Sequence, residues 1–158
     1  MGTTARQVIA LVVIVLIVMG AAGVGGLFTG RSVSTWYRTL SRPDWTPPDW
    51  VFGPVWTVLY LAMAVAAWMV WRRGTPAAPP AMAVFAVQLA FNVAWSVLFF
   101  GMRSPVAGMI DIVLLWLAIA ATIACFLRVS IPAALIMAPY LAWVSFAAAL
   151  NFAIWRMN

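Results

Sequence analysis

The sequence contains no histidine, no lysine and no glutamate, and its one cysteine is Cys125. A lone cysteine rules out a disulfide within the chain. Without histidine, neither zinc nor histidine-ligated haem iron has a plausible ligand set. Acid–base catalysis that relies on His, Lys or paired carboxylates lacks its parts too, which argues against a histidine-dependent membrane hydrolase. No catalytic residue and no metal site are therefore expected. Charge is scarce as well: 8% of the 158 residues are charged and 66% are apolar. A soluble domain needs roughly a quarter of its residues charged to solvate its surface. Lipid is the solvent that fits.

The charges present are nine Arg and three Asp, a net +6. The arginines stand singly, or as the pair Arg72–Arg73, in short gaps between apolar runs. No basic stripe tracks a phosphate backbone, so no nucleic-acid partner is expected. Arg at the ends of apolar runs is instead the arrangement that reaches lipid headgroups. What the chain has in quantity is aromatic: ten Trp, nine Phe and three Tyr.

Five apolar runs recur, at Val8–Leu27, Val51–Trp71, Ala81–Phe100, Val106–Leu127 and Pro132–Ile154. Each has about 20 residues or slightly more, enough to cross a ~30 Å hydrocarbon core as a helix. A spanning segment must also satisfy its own backbone, which a helix does. Thr46-Pro47-Pro48-Asp49 reads as a helix start with Thr46 as N-cap, and Ser104-Pro105 and Ser130 with Pro132 read likewise. The chain is thus expected to be an all-α membrane protein, one domain over residues 1–158. Its five transmembrane helices should lie at about 8–27, 47–71, 81–100, 105–127 and 132–154. Small residues at Gly20-Ala21-Ala22 resemble a signal-peptide cleavage site, but the first run is long for one and its positive end has only Arg6.

The last three connections are short, so consecutive helices are antiparallel and in contact. The first connection is long, and residues 28–46 are expected to form a lid loop. Arg6, Arg72, Arg73 and Arg128 fall on one membrane face. Arg31, Arg38, Arg42, Arg103 and Arg156 fall on the other, a balance that does not set orientation.

On the third span, Ala86, Ala90 and Ala94 form a small-residue stripe, and Gln88, Asn92 and Ser96 form a polar one with Trp95 beside it. Two residues of offset is about 200° of rotation, so the stripes face opposite ways. A small-residue stripe suits close helix approach and an uncharged polar stripe faces inward. The Ala stripe therefore reads as a homodimer contact and Gln88/Asn92 as pocket lining; packing within one bundle is an equal alternative. Gly20, Gly23 and Gly26 form a rival contact surface. On the fifth span, Tyr140, Trp143, Ala147, Leu150, Asn151 and Ile154 share a face, with room beside Trp143 left by Ala147. Pro139 should bend that helix or free a carbonyl. Trp56 and Tyr60 add an i, i+4 pair. Together these describe a pocket of aromatics and a few amides, suited to a flat apolar ligand. Trp68, Trp71 and Trp155 sit at span ends and read as interfacial anchors. Asp111, the one acid within a span, is either functional or paired with Arg103 or a loop Arg.

Trp36-Tyr37-x-x-Leu40-x-Arg42-Pro43-x-Trp45-x-Pro47-Pro48-x-Trp50 and Gly53-Pro54-Val55-Trp56-x-x-Leu59-Tyr60 resemble the translocator protein family. It is also called the tryptophan-rich sensory protein or peripheral benzodiazepine receptor family (TspO/MBR). Gln88-Leu89-Ala90-Phe91-Asn92-x-x-Trp95-Ser96, Phe99-Phe100-Gly101, Pro139-Tyr140-Leu141-Ala142-Trp143 and Ala147-x-x-Leu150-Asn151 extend the likeness over nearly the whole chain from Trp36. The resemblance implies a five-helix bundle, commonly dimeric, with a pocket beneath the first loop. Family ligands are tetrapyrroles such as protoporphyrin IX, with haem and sterols as further candidates, and synthetic isoquinoline carboxamides and benzodiazepines. Trp56, Trp143, Ala147, Gln88 and Asn92 would be ligand contacts, joined by Tyr60, Trp95, Leu150 and Asn151. Tyr37 would be a further ligand contact, placed in the lid with Trp36, Arg38, Arg42 and Trp45.

Two departures stand out. Phe152 replaces a Tyr of the sterol-recognition pattern of animal members, and Ala107 stands where they have Trp.

The expected function is a membrane receptor, sensor or carrier of porphyrins. No cofactor is required, the porphyrin being the ligand, and Arg31, Arg38 or Arg42 would meet its carboxylates. The alternatives are Trp-assisted, light-dependent porphyrin breakdown and transport of tetrapyrroles or sterols; no internal repeat supports an active transporter. Residue usage points to a bacterium, and hence to its cell membrane.

Overall fold

The computed structural model describes residues 3–158. Among them are five long apolar helices, as expected, and one short helix in the first connection. α1 runs Thr3–Val33, α2 Trp36–Thr39, α3 Asp49–Trp71, α4 Ala78–Ser96, α5 Pro105–Leu127 and α6 Ile131–Met157. α4 continues into a π-helical turn, Val97–Gly101.

α1 packs on α3 and α4, α3 on α6, α6 on α5, and α5 on α4. The five long helices therefore close into a ring in the order α1, α3, α6, α5, α4. Alanines let the backbones meet: Ala64, Ala66, Ala67, Ala133 and Ala134 are fully buried beside Met63, Ile119 and Met137. At the start of α1, Arg6 lies over the Trp71 ring at 5.7 Å and Trp68 Nε1 donates to the Gln7 carbonyl at 3.1 Å. Those two tryptophans tie the outer ends of α1 and α3 together, at the membrane face expected for Arg6 and Arg72.

The helices are longer than the apolar runs. α1 has 31 residues, about 46 Å at 1.5 Å per residue, well beyond a ~30 Å core. It passes Leu27, the expected end, because a formed helix needs a reason to stop. Here Thr29 and Ser32 find partners without unwinding it. Thr29 Oγ1 donates to the Gly25 carbonyl at 3.0 Å, and Ser32 Oγ donates to the Phe100 carbonyl at 2.7 Å on the π-turn. The expected lid loop 28–46 thus shrinks to 34–48, with α2 inside it.

Helix starts follow the sequence signals unevenly. Ser104 caps α5 by accepting from the Ala107 N–H at 3.2 Å. Thr46 does not cap α3: its hydroxyl donates back to the Pro43 carbonyl at 2.7 Å, closing a turn ahead of the helix. Pro48 precedes Asp49 instead, without a side-chain cap. Ser130 makes no cap bond either, because its side chain turns into the core, where Oγ has no partner. α6 continues through Pro139, which lacks the N–H that would bond the Leu135 carbonyl.

Two glycines give opposite expectations. A Cβ at Gly108 would lie 2.8 Å from Phe99 and 2.9 Å from Asn151 Oδ1, whereas one at Gly23 meets nothing within 4 Å. Gly108→Ala should cost about 1–3 kcal/mol by overpacking. Gly23→Ala should gain up to about 1 kcal/mol of helix propensity. Thermal unfolding in detergent should place the two variants on opposite sides of the unsubstituted protein.

Candidate functional site

A cavity of about 440 Å³ lies inside the ring between α1, α3, α4 and α6, roofed by α2. Of the residues expected to contact ligand, Tyr37, Trp56, Tyr60, Asn92, Trp95, Trp143, Ala147, Leu150 and Asn151 all line it. Helical spacing brings them there: Trp56 and Tyr60 are one turn apart on α3, and Trp143, Ala147, Leu150 and Asn151 rise in steps of three and four on α6.

Gln88 is the exception. It is fully buried outside the cavity, and its amide is spent on packing. Tyr60 donates its O–H to Asn92 Oδ1, and Asn92 donates an N–H to the Tyr140 oxygen. Tyr140 donates to Gln88 Oε1 at 3.0 Å, and Gln88 Nε2 contacts Met63 Sδ at 3.8 Å. Four polar side chains from three helices thus form one directed chain, which is how buried polar groups in lipid are made tolerable. Only its Tyr60–Asn92 end reaches the cavity.

A second polar link closes the other side. Trp95 Nε1 donates to Asn151 Oδ1 at 3.2 Å, and Asn151 Nδ2 donates to the Pro105 carbonyl at 2.8 Å. Aromatic packing sets the rings: Trp56 lies against Tyr60 and Tyr140, Trp95 stacks on Phe99 at 5.3 Å, and Trp143 lies between Phe52 and Phe146. Trp143 Nε1 is covered and has no hydrogen-bond partner.

The lid residues behave differently from one another. Tyr37 is buried under Phe52, Phe99 and Phe100, with the Arg42 guanidinium 4.7 Å over its ring. Burial raises the Tyr37 pKa above its ordinary value, and Arg42 pulls it the other way. Trp36 packs edge-on against Phe99 and Trp45 against Phe146, both outside the cavity lining. Arg38 Nε and Arg42 Nη1 each donate to one oxygen of Asp49 at 3.2 Å. Of the three arginines expected to meet ligand carboxylates, Arg38 and Arg42 are therefore engaged and Arg31 is exposed near the end of α1; among the described residues Asp49 is the one charged side chain in the cavity wall. Asn158 and Ser41 exchange a reciprocal pair of bonds at 3.0 Å, tying the loop to the end of α6.

α1 contributes a wall that sequence reasoning missed. Met19, Ala22, Gly25, Gly26, Thr29 and Gly30 line the cavity, as do Phe52, Gly53 and Thr57 of α3. Gly26, Gly30, Gly53 and Thr57 are also exposed, so the cavity opens laterally between α1 and α3. No hydrophobic or polar periodicity marks such a wall, because it is built from missing side chains; the cluster Gly23, Gly25, Gly26 and Gly30 was the available signal. On α4, Ala86 and Ala90 are exposed and Ala94 is half-buried, on the outside of the ring. Asp111 is buried away from the cavity, its Oδ2 without a partner. Among the described residues no Arg pairs with it. Arg103, one of the partners the sequence suggests, lies exposed in the turn before α5, two helical turns away from an inward-facing Asp111.

A model of the TspO/MBR family matches residues 11–156. The chain belongs to the TspO/MBR family. It is 43% identical to the tryptophan-rich protein TspO of Chlorobaculum tepidum, over 97% of this chain and 98% of that one. It is 41% identical to the tryptophan-rich protein TspO of Archaeoglobus fulgidus, over 96% and 99%. The human translocator protein is 40% identical over 85% of this chain and 82% of its own. With five spanning helices and this family, the chain is an integral, multi-pass membrane protein.

The polar chain has a measurable weight. Asn92→Leu leaves Tyr60 and Tyr140 each short of a partner in hydrocarbon, at about 1–3 kcal/mol per orphaned group. Thermal unfolding should fall well below that of Asn151→Leu only if the chain through Asn92 is the stronger tie; equal melting of the two variants would contradict this.

Proposed function

We propose that the protein is a receptor or carrier of flat, largely apolar ligands of the porphyrin type, held in the ring cavity. The observation that supports this most is that Trp56 of α3 and Trp143 of α6 line one space of about 440 Å³. That volume falls in the range of small-molecule sites, which are mostly apolar with a few placed polar groups. Tryptophans pack on a flat aromatic plate by offset or edge contact. Tyr60, Asn92 and Asn151 supply the polar groups, each already oriented by a neighbour. Protoporphyrin IX is the natural probe, with sterols and isoquinoline carboxamides as comparison ligands. In a bacterial source the site would serve the cell membrane, and the outward Ala86–Ala90 face of α4 would suit a homodimer contact.

Protoporphyrin IX should quench tryptophan fluorescence saturably. Trp56→Phe and Trp143→Phe should each weaken binding by about 0.5–1.5 kcal/mol, a roughly two- to twelve-fold rise in Kd. An unchanged Kd in both variants would remove the pocket from consideration.

The lateral opening makes a separate, kinetic expectation. Gly26→Leu places a side chain in the gap between α1 and α3, where a Cβ meets nothing within 4 Å. Stopped-flow association of protoporphyrin IX should slow in Gly26→Leu and not in Gly20→Leu, whose position lies outside the cavity lining. Equal rates in the two variants would mean that ligand arrives another way.

A further inference from the structure

We infer that the polar hollow formed by the first loop is a subsite for an acidic group of the ligand, and that Asp49 occupies its arginine, Arg42, until a ligand carboxylate takes it over. The inference rests on the reading that the ring cavity holds the ligand's apolar plate. Two hollows meet at Asp49. On one side is the aromatic cavity; on the other is a polar depression lined by Leu40, Arg42, Pro43, Thr46 and the Pro47–Pro48 pair. Asp49 belongs to both linings, so its carboxylate is the partition between an apolar chamber and a basic one.

The partition is lightly held. Each guanidinium gives Asp49 a single N–H, at 3.2 Å, where an arginine can offer a carboxylate two parallel bonds from its five donors. The Arg38 side chain is 61% exposed and that of Arg42 27%, so water screens the attraction. Arg42 is nonetheless well placed, because its guanidinium lies 4.7 Å over the Tyr37 ring and Tyr37 lines the aromatic cavity. A plate lying against the tryptophans with an acidic edge towards the loop would present that edge to Arg42. The ligand carboxylate then takes Arg42 while Asp49 keeps Arg38, so the formal charge of the two arginines and Asp49 falls from +1 to zero once one ligand carboxylate is bound. A ligand without an acid leaves the Asp49 pairs in place. The class selected is thus a flat apolar molecule with a carboxylate on one edge, set apart from its neutral ester.

The test compares protoporphyrin IX, a diacid, with its dimethyl ester, each titrated against tryptophan fluorescence of the full chain in detergent. Asp49→Asn frees both arginines and should tighten the diacid relative to the ester by about two- to five-fold, the worth of an exposed ion pair. Arg42→Gln should weaken the diacid by a similar factor and spare the ester. Should Asp49→Asn fail to fold, Arg38→Gln carries the comparison, since that side chain is mostly in water; it should weaken the diacid alone. Diacid and ester shifting together in every variant would overturn the subsite and leave the aromatic pocket standing. Saturable binding of neither ligand by the unsubstituted protein would overturn both.

Discussion

An amide or hydroxyl in hydrocarbon has no water to fall back on, so its partner must come from the protein, at a fixed distance and direction. Asn92 meets that demand twice. It accepts from Tyr60 on α3 and donates to Tyr140 on α6, and Tyr140 passes the bond on to Gln88, back on α4. The rotation of three helices about their own axes is set by this chain, because turning α3 by one residue swings Tyr60 through about 100°. Once rotation is set, the aromatic walls follow. Trp56 lies one turn before Tyr60 and Trp143 lies three residues after Tyr140, so both must look into the space beside Asn92. The hollow that defines the site is a by-product of how the polar groups are satisfied.

The roof over that space is attached by contacts of a different character. Three of them hold the first loop and the end of α1 that leads into it: Asp49 to its two arginines, Asn158 to Ser41, and Ser32 to the π-turn at Phe100. The first two are at the water-facing edge, where ion pairs and hydrogen bonds are individually weak. The third is buried and short. α1 is therefore pinned to α4 more firmly than the loop is pinned to α3 or α6, and the loop is the part of the roof that yields first.

Much of this was legible in the amino acids alone. The spans, the Trp56–Tyr60 pair and the face through Trp143, Ala147 and Asn151 follow from apolar run length and a 3.6-residue period. Burial in lipid does not blur those signals. Helix ends were less legible, because an end depends on what the last turn touches. Ser32 reaching Phe100 extends α1 past Leu27, and Thr46 bonding Pro43 forfeits the cap it resembles. Gln88 and Asn92 look alike in sequence, and only the position of Tyr140 decides that one packs in the core and the other reaches the cavity. A pair between Asp111 and Arg103 or a loop Arg is one of the two readings the sequence allows, but Arg103 is exposed in the turn before α5 and Asp111 is buried in the bundle. Gly20, Gly23 and Gly26 of α1 read from the sequence as a rival contact surface, since an absence of side chains reads equally well as an invitation to a neighbour or as a gap.

That gap has a mechanical consequence. Where glycine backbone frames an aperture there is no side chain to swing aside, so its width is simply the separation of the two helices that flank it. α1 meets α4 closely at Gly25, where a Cβ would fall 3.1 Å from Ser96 Oγ, but most of its length faces outward. Such a rod tilts as the surrounding bilayer thins or thickens, at a modest cost per ångström of mismatch. Any change in that tilt alters the separation of α1 from α3, and with it the width of the slot.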